Sequence, residues 1–314
     1  MTASGNKPKI IVVCGPTAIG KTAVGIALAE KCGGEIISAD SMQVYKYMNI
    51  GTAKPTPQER ARIPHHLVDV VEPDAHFDAV RYASMARKTA MDICRRHRVP
   101  IIVGGTGLYI KALLHGLFPA RPIDAQIRER LQTEAAAHGS GVLHARLARI
   151  DPEAAAKLHP NDTYRIVRAL ETMETTGKSI TLYHRQHGFA DAPFDSLKIG
   201  LHMNRQQLYK RINQRVDLML AAGLLAEVKA LLDRGYSGAL PSMRSIGYQH
   251  MLGYIEKRLA WEEAVRTLKR DTRRYAKRQL TWFGADPDII WQDPEQLDEI
   301  TTILSKFLAA GQKK

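Results

Sequence analysis

Cysteine is scarce in this chain. Its 314 residues include only Cys14, Cys32 and Cys94, none in a CxxC pair and none spaced with histidine as zinc ligands would be. That pattern argues against a disulfide framework and against a structural zinc site, and a reducing compartment is expected. Long apolar runs are missing too. After the polar start MTASGNKPK, the stretch Ile10 to Cys14 is far shorter than the ~20 residues of a membrane helix or a signal-peptide core. No membrane association and a cytoplasmic location are expected. Internal repeats and low-complexity tracts are absent, which excludes a repeat array. Acid is also in short supply: 45 Lys and Arg face 32 Asp and Glu, a formal charge of +13. Such an excess suits a polyanionic partner, although a merely basic enzyme would show it as well.

What is present is ordinary for a protein with a real core: 45% hydrophobic and 25% charged residues, in a length that fits one large or two modest domains. Residues 9–14, KIIVVC, form an apolar run ending at glycine, as a strand buried on both faces of a parallel sheet does. Helical spacing of Ala and Leu follows over 21–31. EIISAD (35–40) and VPIIVGG (99–105) are further strand candidates, the latter preceded by a helical stretch around 79–96. Alternating strand and helix predicts a parallel α/β sheet with its chemistry at the carboxyl ends of the strands. From about Pro119 to 195 only helical pieces are expected. Gly139-Ser140-Gly141 breaks one, Asp151-Pro152 starts another, and a third runs from His159-Pro160-Asn161-Asp162 to Gly177. The run 196–203 returns to the sheet, and the remainder reads as helical. The division is thus 1–118 with 196–314 as an α/β core, and 119–195 as an inserted helical domain.

Gly15-Pro16-Thr17-Ala18-Ile19-Gly20-Lys21-Thr22 matches G-x-x-x-x-G-K-[ST], between a predicted strand and a predicted helix. Its amides, Lys21 and the helix N-terminus suit a diphosphate or triphosphate, and the Thr22 hydroxyl suits Mg²⁺. The fold class expected is therefore a P-loop NTPase-like core. The motif leaves open whether a phosphoryl group moves or diphosphate merely leaves. Asp40-Ser41-Met42-Gln43-Val44-Tyr45 puts a carboxylate after the second strand, where it serves either as a catalytic group or as the cap of a following helix. Gly104-Gly105-Thr106-Gly107-Leu108-Tyr109 closes the third strand; its glycines would let backbone approach a ligand, or simply make a turn. Many P-loop NTPases place an Mg²⁺-binding Asp there. Here the strand ends in glycine, with Asp69 in HLVDVVEP as a substitute.

Together GPTAIGKT, ADSMQVYKYMNIGTAKPT, PHHLVDVVEP, GGTGLYIKALL, HPNDTYRIVRALE with TTGKS, RSIGY and TRRYAKRQLTWF resemble, in order, the motifs of bacterial tRNA dimethylallyltransferases, across roughly residues 10–284. The resemblance implies Mg²⁺-dependent transfer of a dimethylallyl group from dimethylallyl diphosphate to N6 of the adenosine 3′ of the anticodon, by an enzyme expected to be monomeric. Ile19 stands where the family commonly has a small serine, at a position that contributes backbone. The resemblance makes Asp40 the base, with Lys21, Thr106 and an arginine of LYKRINQRVDLML, Arg211 or Arg215, handling the diphosphate together with residues 15–22. It assigns tRNA contacts to Asp40, Ser41, Met42, Gln43 and Thr106; to Arg128; to Tyr164, Arg165, Ile166, Val167 and Arg168, where the inserted domain would grip the anticodon stem-loop; to Arg244, Ser245, Ile246, Gly247 and Tyr248; and to Arg273, Lys277, Arg278, Gln279 and Trp282.

The chemistry asks for these groups. An adenine amine is a weak nucleophile, so a positioned base helps by roughly 10²–10⁴-fold, and the departing diphosphate needs cations. Arg266, Lys269, Arg270, Arg273, Arg274, Lys277 and Arg278 recur at helical spacing, with Asp271 alone among them. That is either an RNA-facing stripe or a solvated face. Trp282 and Phe283 beyond it stack on a base or pack in the core. Two other classes compete: a P-loop kinase of a nucleoside or small metabolite, which has no use for the stripe, and a nucleotide-dependent RNA-binding protein, which leaves the Asp40 and Thr106 motifs idle.

Overall fold

The structure, a computed structural model, describes residues 7–117, 125–187 and 192–310. The chain separates into two compact units, Met1–Leu114 with Pro193–Lys314, and His115–Ala192. The expected first boundary at 118/119 lies outside the described residues. The second is expected at 195/196; the units divide between Ala192 and Pro193, just before the sheet resumes.

The larger unit is built on a six-stranded sheet in which every pairing is parallel. Its strands are β1 (Lys9–Cys14), β2 (Glu35–Ser38), β3 (His65–His66), β4 (Pro100–Gly104), β5 (Asp195–Leu201) and β6 (Ile289–Gln292), in the order β3-β2-β4-β1-β5-β6. β1 is central. Ile10, Ile11, Val12 and Val13 are fully buried, as expected of a strand covered by helices on both faces. The helix Lys21–Cys32 ends on Gly33 at φ 63°, and Ala79–Arg95 starts on the Asp78 cap. β2, β4 and β1 lie side by side, so the loops leaving their carboxyl ends meet at one edge of the sheet. Those loops carry Asp40, Thr106 and the Gly15–Thr22 cradle.

Two strands escape the sequence reading. β6 falls in the segment expected to be wholly helical, and β3 is a two-residue edge strand of histidines. Both are too short to display a period of two. β2 also stops at Ser38, short of the run 35–40, because Ala39 turns into the loop that approaches β4.

The smaller unit contains the helices Ala125–His138, Ser140–Ile150, Pro152–Lys157, Thr163–Thr176 and Ile180–His187, and no strand among its described residues. Its core is Leu131, Leu143, Leu147, Ile166, Val167 and Leu170. The punctuation acts as the sequence suggests. Gly139 sits at φ 82° between two helices. Asp151 caps Pro152–Lys157 through Ala154 N–H and also accepts from the Thr181 N–H and hydroxyl at 3.1 and 2.7 Å, which ties in the last helix. Asp162 caps the helix that Gly177 ends at φ 70°.

Candidate active site

The cradle follows directly from β1. Gly15 has φ 142°, and a Cβ there would come within 2.8 Å of the Leu201 carbonyl oxygen, so no other residue fits. Ala18 takes the left-handed region at φ 65°, and Gly20, at φ 108°, leads into the helix Lys21–Cys32. Ile19 is fully buried, so its side chain joins the core and only its backbone serves the loop. Lys21 Nζ donates to the Gly15 and Pro16 carbonyls at 3.0 and 2.7 Å. Burial and the neighbouring Arg215 push its pKa down to about 8, against the pull of Asp40.

Asp40 leaves β2 into the same cleft. Its Oδ1 accepts from Met42 N–H at 2.8 Å and Gln43 N–H at 3.3 Å, an Asx turn. The capping alternative is thus half right: the carboxylate caps a turn, and no helix follows. Thr106 fastens the end of β4 to this turn, its Oγ1 accepting the Ser41 N–H at 3.1 Å and its own N–H donating to Ala39 at 3.1 Å. The glycines around it make room for protein rather than for ligand. A Cβ on Gly104, Gly105 or Gly107 would lie 2.2 Å from Ala39 O, 2.1 Å from Gln279 Nε2 and 2.0 Å from Trp282 Nε1 respectively.

Cradle and turn open into a cleft of about 780 Å³, lined among others by Thr22, Asp40, Ser41, Met42, Arg211, Arg215, Arg244 and Arg278. Arg211 and Arg215, on the helix Arg205–Ala221, both reach it. Arg211 lies near Gly20, its Nη2 3.7 Å from a Cβ built there. Arg215 is the more enclosed: burial lowers its pKa, and its charge is felt by Lys21 while it feels Asp40. Tyr275 lines the same cleft, its hydroxyl pushed up to about 12 by burial and the Asp40 charge. Thr22 lines the cleft at the start of the helix Lys21–Cys32, and its hydroxyl suits Mg²⁺, which is usually held by one or two side chains plus phosphate and water. The substitute considered for that role, Asp69, is unsuitable. It is spent on ion pairs with Lys54 at 2.5 Å and Arg60 at 2.9 Å and does not line the cleft.

The loop beyond Asp40 is held by a group the sequence reading missed. Glu227 accepts the N–H groups of Asn49, Ile50 and Gly51 at 2.9, 2.8 and 3.1 Å and the Tyr248 hydroxyl at 2.6 Å. One glutamate in an ordinary amphipathic helix carries no local signal of this. Gln43 braces the same loop from inside, donating to the Thr52 and Ala53 carbonyls and accepting from Ser38.

Several residues expected to contact RNA use their side chains within the protein. Gln43 spends its side chain internally. Tyr248 is wholly buried against Gly51, and Ile166 and Val167 sit in the core of the helical unit. Gln279 is buried, accepting from Thr17 N–H and donating to Gly105 O. Arg128 and Arg168 share the buried Glu171 at 2.9 and 3.1 Å. Tyr164, 72% exposed, and the exposed Arg165 remain on the surface, as does Arg244 at the cleft. On the helix Trp261–Phe283 the stripe is partly neutralised. Arg266 pairs with Glu263, Lys269 with Asp217, and Arg270 and Arg274 with Asp271; Arg273 donates to Asn213. Lys277 and Arg278 are exposed, Arg278 lying over the Tyr275 ring at 5.7 Å. Phe283 packs inward, whereas Trp282 stays 42% exposed beside Gly107.

Comparison with known proteins places these features in a family. The family model described as IPP transferase matches residues 43–286, and one described as isopentenyl transferase matches 8–68. The chain is 55% identical over 306 residues to a tRNA dimethylallyltransferase of Desulfosudis oleivorans, covering 97% of this chain and 98% of the relative. It is 50% identical over 305 residues to that of Geobacter sulfurreducens, with the same coverage. Among solved structures it is similar to the full-length tRNA isopentenylpyrophosphate transferase of Bacillus halodurans (TM-score 0.73, 40% identity, 97% of this chain and 98% of that one). It is also similar to a eukaryotic dimethylallyltransferase acting on tRNA (TM-score 0.80, 29% identity, 98% and 80%). Among the described residues, no helix is long and apolar enough to cross a membrane.

Proposed function

The chain belongs to the IPP transferase family and is a prenyltransferase of tRNA, and from that premise we propose how its residues divide the work. The observation that carries the proposal is the strand order β2-β4-β1, which brings the loops carrying Asp40, Thr106 and the cradle to one edge of the sheet, where Asp40 and the cradle line one cleft. The N6 amine of adenosine attacks C1 of dimethylallyl diphosphate. The new C–N bond forms as the C1–O bond breaks, and diphosphate leaves with the bonding electrons. Asp40 accepts the amine proton. It already spends Oδ1 on Met42 and Gln43, which aims the carboxylate and leaves Oδ2 for the base.

Charge grows on the leaving diphosphate in the transition state, and the cradle amides, Lys21, Arg215 and Arg211 stand where that charge develops. Thr22 would hold Mg²⁺ together with phosphate oxygens and water, and the metal when bound would neutralise part of the diphosphate charge. Thr106 orients this edge by tying Ser41 and Ala39 to β4. The target base is drawn out of the anticodon loop to meet Asp40. Lys277, Arg278 and Arg244 contact RNA phosphates from the core unit, and Tyr164 with Arg165 from the helical unit, which grips the stem-loop. The chain's free thiols suit the cytoplasm.

The test is incubation with radiolabelled dimethylallyl diphosphate, Mg²⁺ and unmodified tRNA, without ATP. Label in acid-precipitable RNA is expected. ATP consumption with no labelled RNA would favour the kinase reading instead.

A further inference from the structure

Gln279 projects from the inner side of the helix Trp261–Phe283, one turn beyond Tyr275, and is only 6% exposed. Its Oε1 accepts the Thr17 N–H at 2.8 Å and its Nε2 donates to the Gly105 carbonyl at 2.9 Å. One primary amide therefore joins the loops leaving β1 and β4. Leaving either of its ends unmatched in a buried place would be costly. Thr17 is the third residue of the cradle, and its amide points at Gln279 rather than at a phosphate. The amide thus decides how Pro16, Thr17 and Ala18 are presented, in the stretch where Ala18 holds a left-handed conformation.

The packing at Gly105 makes the same contact exacting. Gly105 is hemmed in by this same amide: a Cβ there would come within 2.1 Å of Nε2, so any side chain at 105 dislodges Gln279 from its place. The helix that carries Gln279 inward offers the exposed Lys277 and Arg278 outward. The face proposed for RNA and the brace of the cradle are two sides of one element.

We propose that Gln279 is a positioning residue for the prenyl diphosphate: it shapes the cradle through Thr17 and Gly105 and does not read RNA. The inference rests on the reading above, in which the cradle holds dimethylallyl diphosphate. Gln279→Leu removes both bonds at similar volume, and Gly105→Ala displaces the amide while leaving it in the chain. Either variant reports if the other folds poorly, as followed by thermal unfolding.

Binding of inorganic diphosphate with Mg²⁺ is measured by calorimetry, and the Michaelis constants for both substrates by steady-state prenylation. Loss of the Gln279 brace is expected to weaken diphosphate binding and raise the dimethylallyl diphosphate KM, each by about 10-fold. The tRNA KM should stay within about 2-fold. A raised tRNA KM with unchanged diphosphate affinity would overturn the inference and make Gln279 a reader of RNA. Lower thermal stability with both constants unchanged would overturn it in favour of a purely structural role. Should the wild type bind diphosphate yet fail to prenylate tRNA, the function proposed above falls, while the calorimetric comparison still decides the role of Gln279.

Discussion

Replacing Glu227 by glutamine exchanges one carboxylate oxygen for an NH₂ group and leaves the outline of the side chain unchanged. In the native structure Oε2 accepts from Asn49 and Ile50, and Oε1 from Gly51 and the Tyr248 hydroxyl. If the amide nitrogen takes the place of Oε2, the Asn49 and Ile50 bonds are lost outright; if it takes the place of Oε1, the Gly51 bond is lost, the Tyr248 hydroxyl must turn to accept, and the remaining bonds lose their charged acceptor. Each bond to a charged acceptor contributes ~1.5–3 kcal/mol, and partial exposure favours the low end, so the loss is ~3 kcal/mol. At ~2 °C per kcal/mol for a chain of this size, Tm should fall by ~6 °C. The effect should reach the chemistry as well. The loop that Glu227 holds supplies Gly51, Thr52, Ala53 and Lys54 to the cleft lining, and Gln43 anchors on Thr52 and Ala53. Turnover should therefore drop by roughly 10-fold, a shift of ~1.4 kcal/mol. Calorimetry and single-turnover prenylation measure the two halves. A variant that melts within ~1 °C of wild type and turns over normally would show that the four bonds do not organise the loop.

Other outcomes follow from the same geometry. With its pKa near 8, Lys21 is a cation below that pH and loses its charge above it. The KM for dimethylallyl diphosphate should therefore rise as pH passes through about 8, approaching tenfold per pH unit, and a Lys21→Ala profile should be flat there. The cations of the long helix should separate in salt titrations of tRNA binding. Lys277→Ala and Arg278→Ala should each make the log–log slope shallower by ~0.7–0.9, whereas Arg266→Ala and Lys269→Ala, already paired with Glu263 and Asp217, should change it by less than half as much. Equal effects across all four would mean that the intrachain pairs open freely on docking.

Much of this molecule is legible in its sequence because the signals are local. Ile10 to Val13 are apolar on both faces and announce a central strand. The Gly15–Thr22 spacing needs only its neighbours to be recognised as a cradle, and Asp151, Asp162 and Gly177 cap helices through groups a few residues away. What stayed hidden depends on residues distant in the chain. Gln279 meets Thr17 across 262 positions, and Glu227 meets Asn49 across 178; no spacing within either segment reveals the partner. The partial neutralisation of the basic stripe is hidden for a related reason, since Asp217 and Glu263, which pair with Lys269 and Arg266, lie outside residues 266–278. Ile166, Val167 and Tyr248 belong to segments that carry exposed contacts, but the helical period turns these particular side chains inward. β6, at four residues, was too short to be distinguished from the helical texture around it.

The central claim is that Asp40 takes the proton from the adenosine amine while the cradle holds the departing diphosphate. Single-turnover prenylation by Asp40→Asn, with tRNA and dimethylallyl diphosphate both saturating, tests it most directly. The rate should fall by roughly 10²–10⁴-fold, while filter retention shows tRNA affinity essentially unchanged. A rate near that of wild type would remove Asp40 from the chemistry and contradict the account.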